Sequence, residues 1–262
     1  MFTLTRRDTS PIPLEVDGIT PDAVANLSER EVAKLPVQHG NRREALGDFF
    51  DVVRDADADL TFSGDTRNVH GIGLCLASGT IRVHGTVGRH AGARMTGGRL
   101  IVEGDAGDWL GAEMTAGVIE VHGDAGHQAG AAYRGSRRGM RGGVIHIHGN
   151  AGDELGLLMR RGVIRVDGQC GEFAGASLIA GTLLLLGGSG GRLGAGMKRG
   201  SIVTRRPVAL PASFRLACRI VPGFLALFTK LFPDLPPDFG HTVAECYRGD
   251  VLTGGRGEVL VL

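Results

Sequence analysis

The sequence predicts an all-β protein: a parallel β-helix of about seven coils with small α-containing terminal extensions. Three observations carry the expectation. A glycine returns every 19 residues, at Gly79, Gly98, Gly117, Gly143, Gly162, Gly181 and Gly200, with one interval of 26. Two further glycine columns hold the same register: Gly88, Gly107, Gly126, Gly152, Gly171 and Gly190, then Gly92, Gly111, Gly130, Gly156, Gly175 and Gly194. Finally, the residues after each unit glycine alternate, as in Thr80-Ile-Arg-Val-His84. Alternation is the mark of a short strand with one buried face. A fixed short period is the mark of a stacked repeat.

Nineteen residues suffice for three short segments around a triangle, with glycine supplying positive φ at the corners. A step of about 4.8 Å lets each coil hydrogen-bond to the next, so six or seven coils would span about 30 Å. A helical solenoid is disfavoured, because every repeat would carry several glycines at about 1 kcal/mol each. Column chemistry agrees with the stack. One inward column reads Ile81, Leu100, Ile119, Ile145, Ile164, Leu183, Ile202, and its neighbour Val83, Val102, Val121, Ile147, Val166, Leu185. A third, three residues before each unit glycine, reads Leu76, Met95, Met114, Met140, Met159, Leu178, Met197 and holds every methionine but Met1. Flexible filling of the interior explains that stripe better than metal or cofactor chemistry does.

Residues 60–206 form the repeat region, opening on a degenerate coil at Leu60-Thr-Phe-Ser-Gly64. Residues 1–59 are read as an N-terminal extension and cap. Thr20-Pro21 can start one short helix, and Ser28-Glu-Arg-Glu31 matches a capping box for a second, stopped by Pro36. The segment 35–50 reads as an ordered connection that caps the first coil, since a solenoid end exposes unpaired edges. Residues 207–262 form a C-terminal extension in which Gly223–Phe232 is a short helix and Val259-Leu-Val-Leu262 a closing strand.

The chain has 262 residues, 44 of them glycine, and only 13 aromatic residues, so the core rests on aliphatic side chains and methionine. Basic and acidic residues number 29 and 28, which argues against disorder and against a polyanion-binding tail. No apolar run reaches the ~18 residues of a membrane span, and the first residues lack a secretory pattern. Cys75, Cys170, Cys218 and Cys246 stand far apart without a CxxC, as expected of free thiols in a cytoplasmic protein.

The long interval holds a seven-residue insertion within 131–142, and Arg134, Arg137, Arg138 and Arg141 make it basic. Nothing else in the sequence supplies an aromatic reading surface or a long basic stripe, which disfavours nucleic-acid or phosphate binding; a protein-docking loop is the preferred reading. Two outward rows follow from the alternation: His84, Glu103, His122, His148, Asp167, and Arg82, Glu120, His146, Arg165. A flat row lacks the converging ligands and supporting shell of a zinc site, so these read as solvated or partner-facing ladders. Leu184 and Leu186 break the polar pattern, so that strand must be covered, by Phe224–Phe232 or by another protein. Asp105 and Asp124 beside turn glycines read as turn hydrogen bonders. No nucleophile elbow, zinc-protease helix, phosphate loop or dinucleotide fingerprint occurs. The residues themselves therefore identify no catalytic, cofactor or metal site, and leave Arg134, Arg137, Arg138, Arg141, Leu184 and Leu186 as candidates for partner docking.

The repeated G-x-I-x-V-x-G-x-x-G-x-x-x-G, joined to A-x-M-x-x-G, resembles the right-handed β-helical domain shared by glutamate synthase large subunits and the C subunit of formylmethanofuran dehydrogenase. The lead-in Leu35-Pro-Val-Gln-His-Gly-Asn-Arg, continuing to Leu-Gly-Asp-Phe-Phe50, resembles the second of these, and the likeness extends over essentially the whole chain. The repeat is specific for the fold; the lead-in distinguishes the subfamily. An Arg-rich, Lys-poor composition is most like the C subunit of the bacterial formyltransferase/hydrolase complex.

That resemblance implies a right-handed parallel β-helix acting as a non-catalytic scaffold in tetrahydromethanopterin/methanofuran-linked formaldehyde oxidation to formate. Its implied partners are amidohydrolase-like and formyltransferase subunits, with a degenerate pterin-enzyme-like subunit. The methanofuran-like carrier, tetrahydromethanopterin and the catalytic metal would then belong to those subunits. The alternatives are the C subunit of a tungsten- or molybdenum-dependent formylmethanofuran dehydrogenase and a ligand-binding regulatory β-helix protein. A polysaccharide-processing β-helix is a poor fit, because a single tryptophan and scattered acids offer no sugar-binding groove.

Overall fold

A computed structural model describes residues 1–7 and 10–262. Among the described residues the main feature is a 13-stranded sheet in which the repeat strands lie parallel and in sequence order. Leu60–Ser63, Thr80–Val83, Thr96–Val102, Ala116–Val121, Arg141–Ile147, Arg161–Val166, Thr182–Leu185 and Ser201–Thr204 follow one another as rungs. The register places like residues above like: Ile81 on Leu100, Leu100 on Ile119, Ile119 on Ile145, Ile145 on Ile164, Ile164 on Leu183, and Leu183 on Ile202. Both inward columns are buried throughout the repeat, and so is every member of the methionine column. A second side of each coil is a ladder of single bridges from Val87 through Ala106, Ala125, Ala151 and Cys170 to Ser189.

The third side is a corner in left-handed conformation. Gly92 has φ +62°, and His90 and Arg94 on either side of it are left-handed as well; Trp109, Gly111 and Glu113 repeat the pattern one coil on. Each corner glycine donates its N–H to the previous coil, Gly111 to Ala91 O at 2.8 Å and Gly130 to Leu110 O at 2.8 Å. Glycine is needed here on two counts. Positive φ strains other residues, and a Cβ at Gly111 would stand 2.6 Å from Ile145 Cδ1 and 2.9 Å from Ile119 Cδ1.

The insertion leaves the stack without disturbing it. Met140 N donates to Gly130 O at 2.9 Å, closing the excursion, and Met140 regains its place in the buried column. The turns between coils are tied by a side-chain ladder. Asp105 Oδ1 accepts from Asp124 N at 2.8 Å, Asp124 Oδ1 from Asn150 N at 2.6 Å, and Asn150 Oδ1 from Gln169 N at 2.9 Å.

Extra elements continue the sheet at both ends. Phe2–Arg6 lies parallel to Leu60–Ser63, with Phe2 and Leu4 extending the inward columns, and Phe50–Arg54 adds antiparallel outside it. The segment 35–50, read from sequence as a connection, is a hairpin of Pro36–His39 and Arg42–Ala45 plus a short 3-10 turn. Gly40-Asn41 is a recognisable hairpin signal, and Gly40 has φ +57°. Two short helices precede it: α1 (Pro21–Val24), and α2 (Glu29–Ala33) with a complete Ser28–Glu31 capping box. At the other end Gly257–Val261 pairs parallel with Ser201–Thr204, followed outward by the antiparallel strands Ala244–Gly249 and Arg215–Ile220. Helix α3 (Ala226–Leu231) lies between these elements in sequence. Among the described residues no helix is long and apolar enough to cross a membrane.

Gly111→Ala is expected to destabilise the chain by about 2–4 kcal/mol, the sum of left-handed strain and overpacking, as read by urea unfolding. The cysteines should separate into two classes under a thiol reagent. Cys75 and Cys218 are exposed, whereas Cys170 is buried and its thiol is pushed up to about 12 by that burial. Cys75 and Cys218 should react in the native chain, while Cys170 and the buried Cys246 should react only on unfolding, as read by mass spectrometry of the labelled protein.

Candidate functional site

The basic loop is well founded and its arginines are free of carboxylates. Tyr133 pins its base: the ring hydroxyl lies 3.0 Å from His90 Nδ1, and Arg94 stacks over the ring at 5.3 Å. Beyond it Arg134, Arg137, Arg138 and Arg141 are exposed, and among the described residues none belongs to an ion pair. Arg141 pairs in register with Arg161, so the strand start carries the charge onward to the next coil. Arg160, Arg161 and Arg199 line a shallow groove of about 550 Å³ whose other walls are Gly162, Ile179, Ala180 and Gly181. The loop and this groove give one basic surface, larger than the insertion alone indicates.

Leu184 is fully buried, and Leu186 packs at the edge of the same cluster. The cover comes from this chain: Leu225, Phe228, Phe232, Leu235 and Phe239 close over Leu184 and Val203. Leu184 therefore offers no surface to a partner, a correction to its reading as a docking residue. The apolar strand had required a lid, and the segment after Pro222 supplies it.

That lid also changes the outward rows. His84 remains on the surface, its Nδ1 2.8 Å from Glu103 Oε2. His146 is 8% exposed and Arg165 3%, because the C-terminal segment lies against them. The Phe232 ring packs edge-on to His146 and lies under the Arg165 guanidinium at 5.0 Å. Arg165 forks onto Asp234, with Nη1 to Oδ1 at 2.7 Å and Nη2 to Oδ2, and its Nε donates to Asp167 Oδ1 at 2.6 Å. These two residues are thus not part of a solvated ladder. Sequence reasoning could not place Asp234, which lies outside the repeat and so outside any register.

Around this clamp four side chains converge. His146 Nε2 donates to Asp167 Oδ2 at 2.9 Å, and His148 Nδ1 stands 3.5 Å from the same oxygen. His148 Nε2 lies 3.5 Å from Glu120 Oε1, while Arg99 donates to Glu120 Oε2 at 2.5 Å. Burial pushes Asp167 up, yet the hydrogen bonds and charge of His146 and Arg165 outweigh it and hold the carboxyl below the usual range. Burial, then the neighbouring His146, lowers His148.

A separate polar cleft of about 270 Å³ forms where the N-terminal extension meets the coils. Glu15, Asp17, His70, His90, Arg94 and Tyr133 line it. Burial raises Asp17 and lowers both histidines, and it pushes Tyr133 up to about 12. His90 is held between Trp109, stacked at 5.2 Å, and the Tyr133 hydroxyl, so its ring is occupied by packing and hydrogen bonding.

The Arg165 hydrogen bond is the first cause holding Asp234 below its ordinary carboxylate value. A depressed carboxylate adds stability above its unfolded value, about pH 4, that is lost as pH falls through the folded value. Asp234→Ala should therefore loosen 224–239 at neutral pH, read as faster amide exchange there. In the unsubstituted chain the same region should loosen below about pH 4.

No protein-family model matches the chain. It is 39% identical over 95 residues to the C subunit of tungsten-containing formylmethanofuran dehydrogenase 2 from Methanothermobacter thermautotrophicus, covering 34% of this chain and 35% of that one. It is 36% identical over 89 residues to the C subunit of the formyltransferase/hydrolase complex Fhc from Methylorubrum extorquens, covering 34% of each. These matches span about a third of the curated relatives' length. The structural likeness is more extensive. A chain of the crystal structure of the formyltransferase/hydrolase complex FhcABCD from Methylorubrum extorquens, in complex with methylofuran, superposes with a TM-score of 0.93 at 35% identity. That superposition covers 99% of this chain and 98% of the other.

Proposed function

The chain belongs to the family formed by the C subunits of formylmethanofuran dehydrogenases and formyltransferase/hydrolase complexes, and from that premise we propose that it is the non-catalytic scaffold subunit of a cytoplasmic formyltransferase/hydrolase complex. The complex would act in tetrahydromethanopterin/methanofuran-linked oxidation of formaldehyde to formate. The single observation that carries the reading is the likeness, over nearly the whole of both chains, to a component of the methylofuran-bound complex. What this chain's own residues do is consistent with it. The acidic residues at the turns, Asp105, Asp124 and Asp153, accept backbone N–H groups from the following coil, so their work is to join rungs.

The chemistry then belongs to sister subunits: an amidohydrolase-like subunit with its catalytic metal, a formyltransferase subunit, and a degenerate pterin-enzyme-like subunit. The methanofuran-like carrier and tetrahydromethanopterin would bind there. A stack in which every coil is hydrogen-bonded and packed holds such partners at fixed separation, and a carrier tethered between nearby sites meets the second at high effective concentration. Two surfaces suit docking. One is the basic surface around Arg134, Arg137, Arg138 and Arg141. The other is the outermost strand Arg215–Ile220, whose six residues are all exposed, with the exposed apolar Leu216, Ile220, Val221 and Val243. The 39% identity to the archaeal protein favours a second reading, in which the partners are those of a tungsten- or molybdenum-dependent dehydrogenase.

Affinity capture of the full chain from its native host, with partners identified by mass spectrometry, tests the assignment. Amidohydrolase-like and formyltransferase subunits are the expected catch. A tungsten- or molybdenum-pterin subunit in their place would move the chain to the dehydrogenase branch, and recovery of the chain alone would refute the scaffold reading. The double variant Arg137→Glu/Arg138→Glu is expected to fold like the parent by circular dichroism and to recover at least about tenfold less of one partner, the loss of roughly 1.4 kcal/mol of interaction.

A further inference from the structure

We propose that Glu120, His146 and His148 bind one divalent transition-metal cation of the zinc class, with Asp167 as the carboxylate that orients both imidazoles. The ion would join the two coils on either side of the insertion. Glu120 lies on the strand Ala116–Val121, and both histidines belong to the segment of the next coil, with His146 directly above Glu120 in the register. One ligand atom from each of the three lies within 4.8 Å of those of the other two.

The ligand set is of the right chemical kind. Two imidazoles and a carboxylate match the borderline-soft preference of zinc, and the usual tetrahedral arrangement puts neighbouring ligand atoms about 3.4 Å apart at bonds of about 2.1 Å. His148 Nε2 and Glu120 Oε1 already stand at 3.5 Å. Asp167 faces Nε2 of His146 and Nδ1 of His148, at 2.9 and 3.5 Å, which leaves the other nitrogen of each ring to ligate. Zinc-bound histidines are commonly held by an outer carboxylate in this way. Arg99 occupies Glu120 Oε2 and leaves Oε1 facing His148 and, at 3.7 Å, the exposed His122 Nε2, and Arg165 fixes Asp167 through Oδ1 while itself gripped by Asp234.

Position in the fold assigns the ion a structural task. The coils of Glu120 and His146 are the pair separated by 26 residues rather than 19, where the covalent connection is longest. The Phe232 ring packs against His146 from the lid, so the site also adjoins the C-terminal segment. None of the clefts described above is lined by any of the three residues.

The test is a zinc titration of the purified full chain, stripped with a chelator, in competition with a chromophoric zinc indicator at neutral pH. One equivalent of Zn2+ is expected. Glu120→Gln and His148→Ala, chosen because these side chains are only partly buried, should each weaken binding at least about tenfold. Asp167→Asn should weaken it by about 10- to 100-fold, as outer carboxylates do. His84→Ala, on the same row but paired with Glu103, should leave it unchanged. Thermal unfolding supplies a second readout: at a fixed Zn2+ concentration the rise in Tm should be as large in His84→Ala as in the parent chain, and smaller in the other variants. A parent chain that takes up no stoichiometric zinc, or Glu120→Gln and His148→Ala proteins that titrate as the parent does, would overturn the proposal.

Discussion

Everything in this molecule depends on the hydrogen bonding of one coil to the next. No coil is long enough to satisfy its own backbone, so each N–H and C=O along the rungs must find a partner on the neighbouring coil or lose its bond to water without replacement. That requirement fixes the step between coils and brings their backbones almost into contact at the turns. A Cβ at Gly107 would stand 2.8 Å from the Gly88 carbonyl carbon. Glycine abundance is therefore a consequence of lateral bonding, and the inward aliphatic and methionine columns follow from the same register.

What the sequence made legible is what the period controls. Ile119 above Ile145, the Met95–Met197 column, the corner glycines and the looping-out of the insertion could all be read from spacing. So could the capped helix α2, because Ser28 and Glu31 are a local signal. Elements outside the period were legible only in part. The hairpin around Gly40-Asn41 and the alternating Phe2-Thr-Leu-Thr start carried weak local signals. The Arg165–Asp234 clamp carried none, since it joins residues 69 apart and one partner belongs to no repeat. The cleft between Glu15, His90 and Tyr133 was illegible for the same reason: three separate stretches of chain supply it.

The C-terminal segment shows how a repeat acquires individuality. A uniform stack presents the same outward face at every rung, but 224–239 covers the later rungs and not the early ones. The outward row accordingly passes from Arg82, the apolar Ile101 and the half-buried Glu120, through the buried His146 and Arg165, to Leu184 and Val203. Continuous burial of this column from His146 onward records where the lid begins. It also separates two tasks on one scaffold, a sealed face that steadies the coils and exposed margins, such as the basic loop, that face outward.

The sheet ends in antiparallel pairings at both extremities: Phe50–Arg54 runs against the rungs, whereas Arg215–Ile220, two reversals out from the last rung, runs with them. A parallel stack is in principle open-ended, for its last rung offers the template its first rung needs, and like molecules could add head to tail into a fibre. Antiparallel pairing spaces its donors and acceptors differently, and where one molecule's Arg215–Ile220 edge met another's Phe50–Arg54 edge the two strands would run in opposite directions, so the parallel register would not continue from molecule to molecule. The uninterrupted parallel ladder is thereby confined to the interior of one molecule, and its margins are left to partners of a different kind.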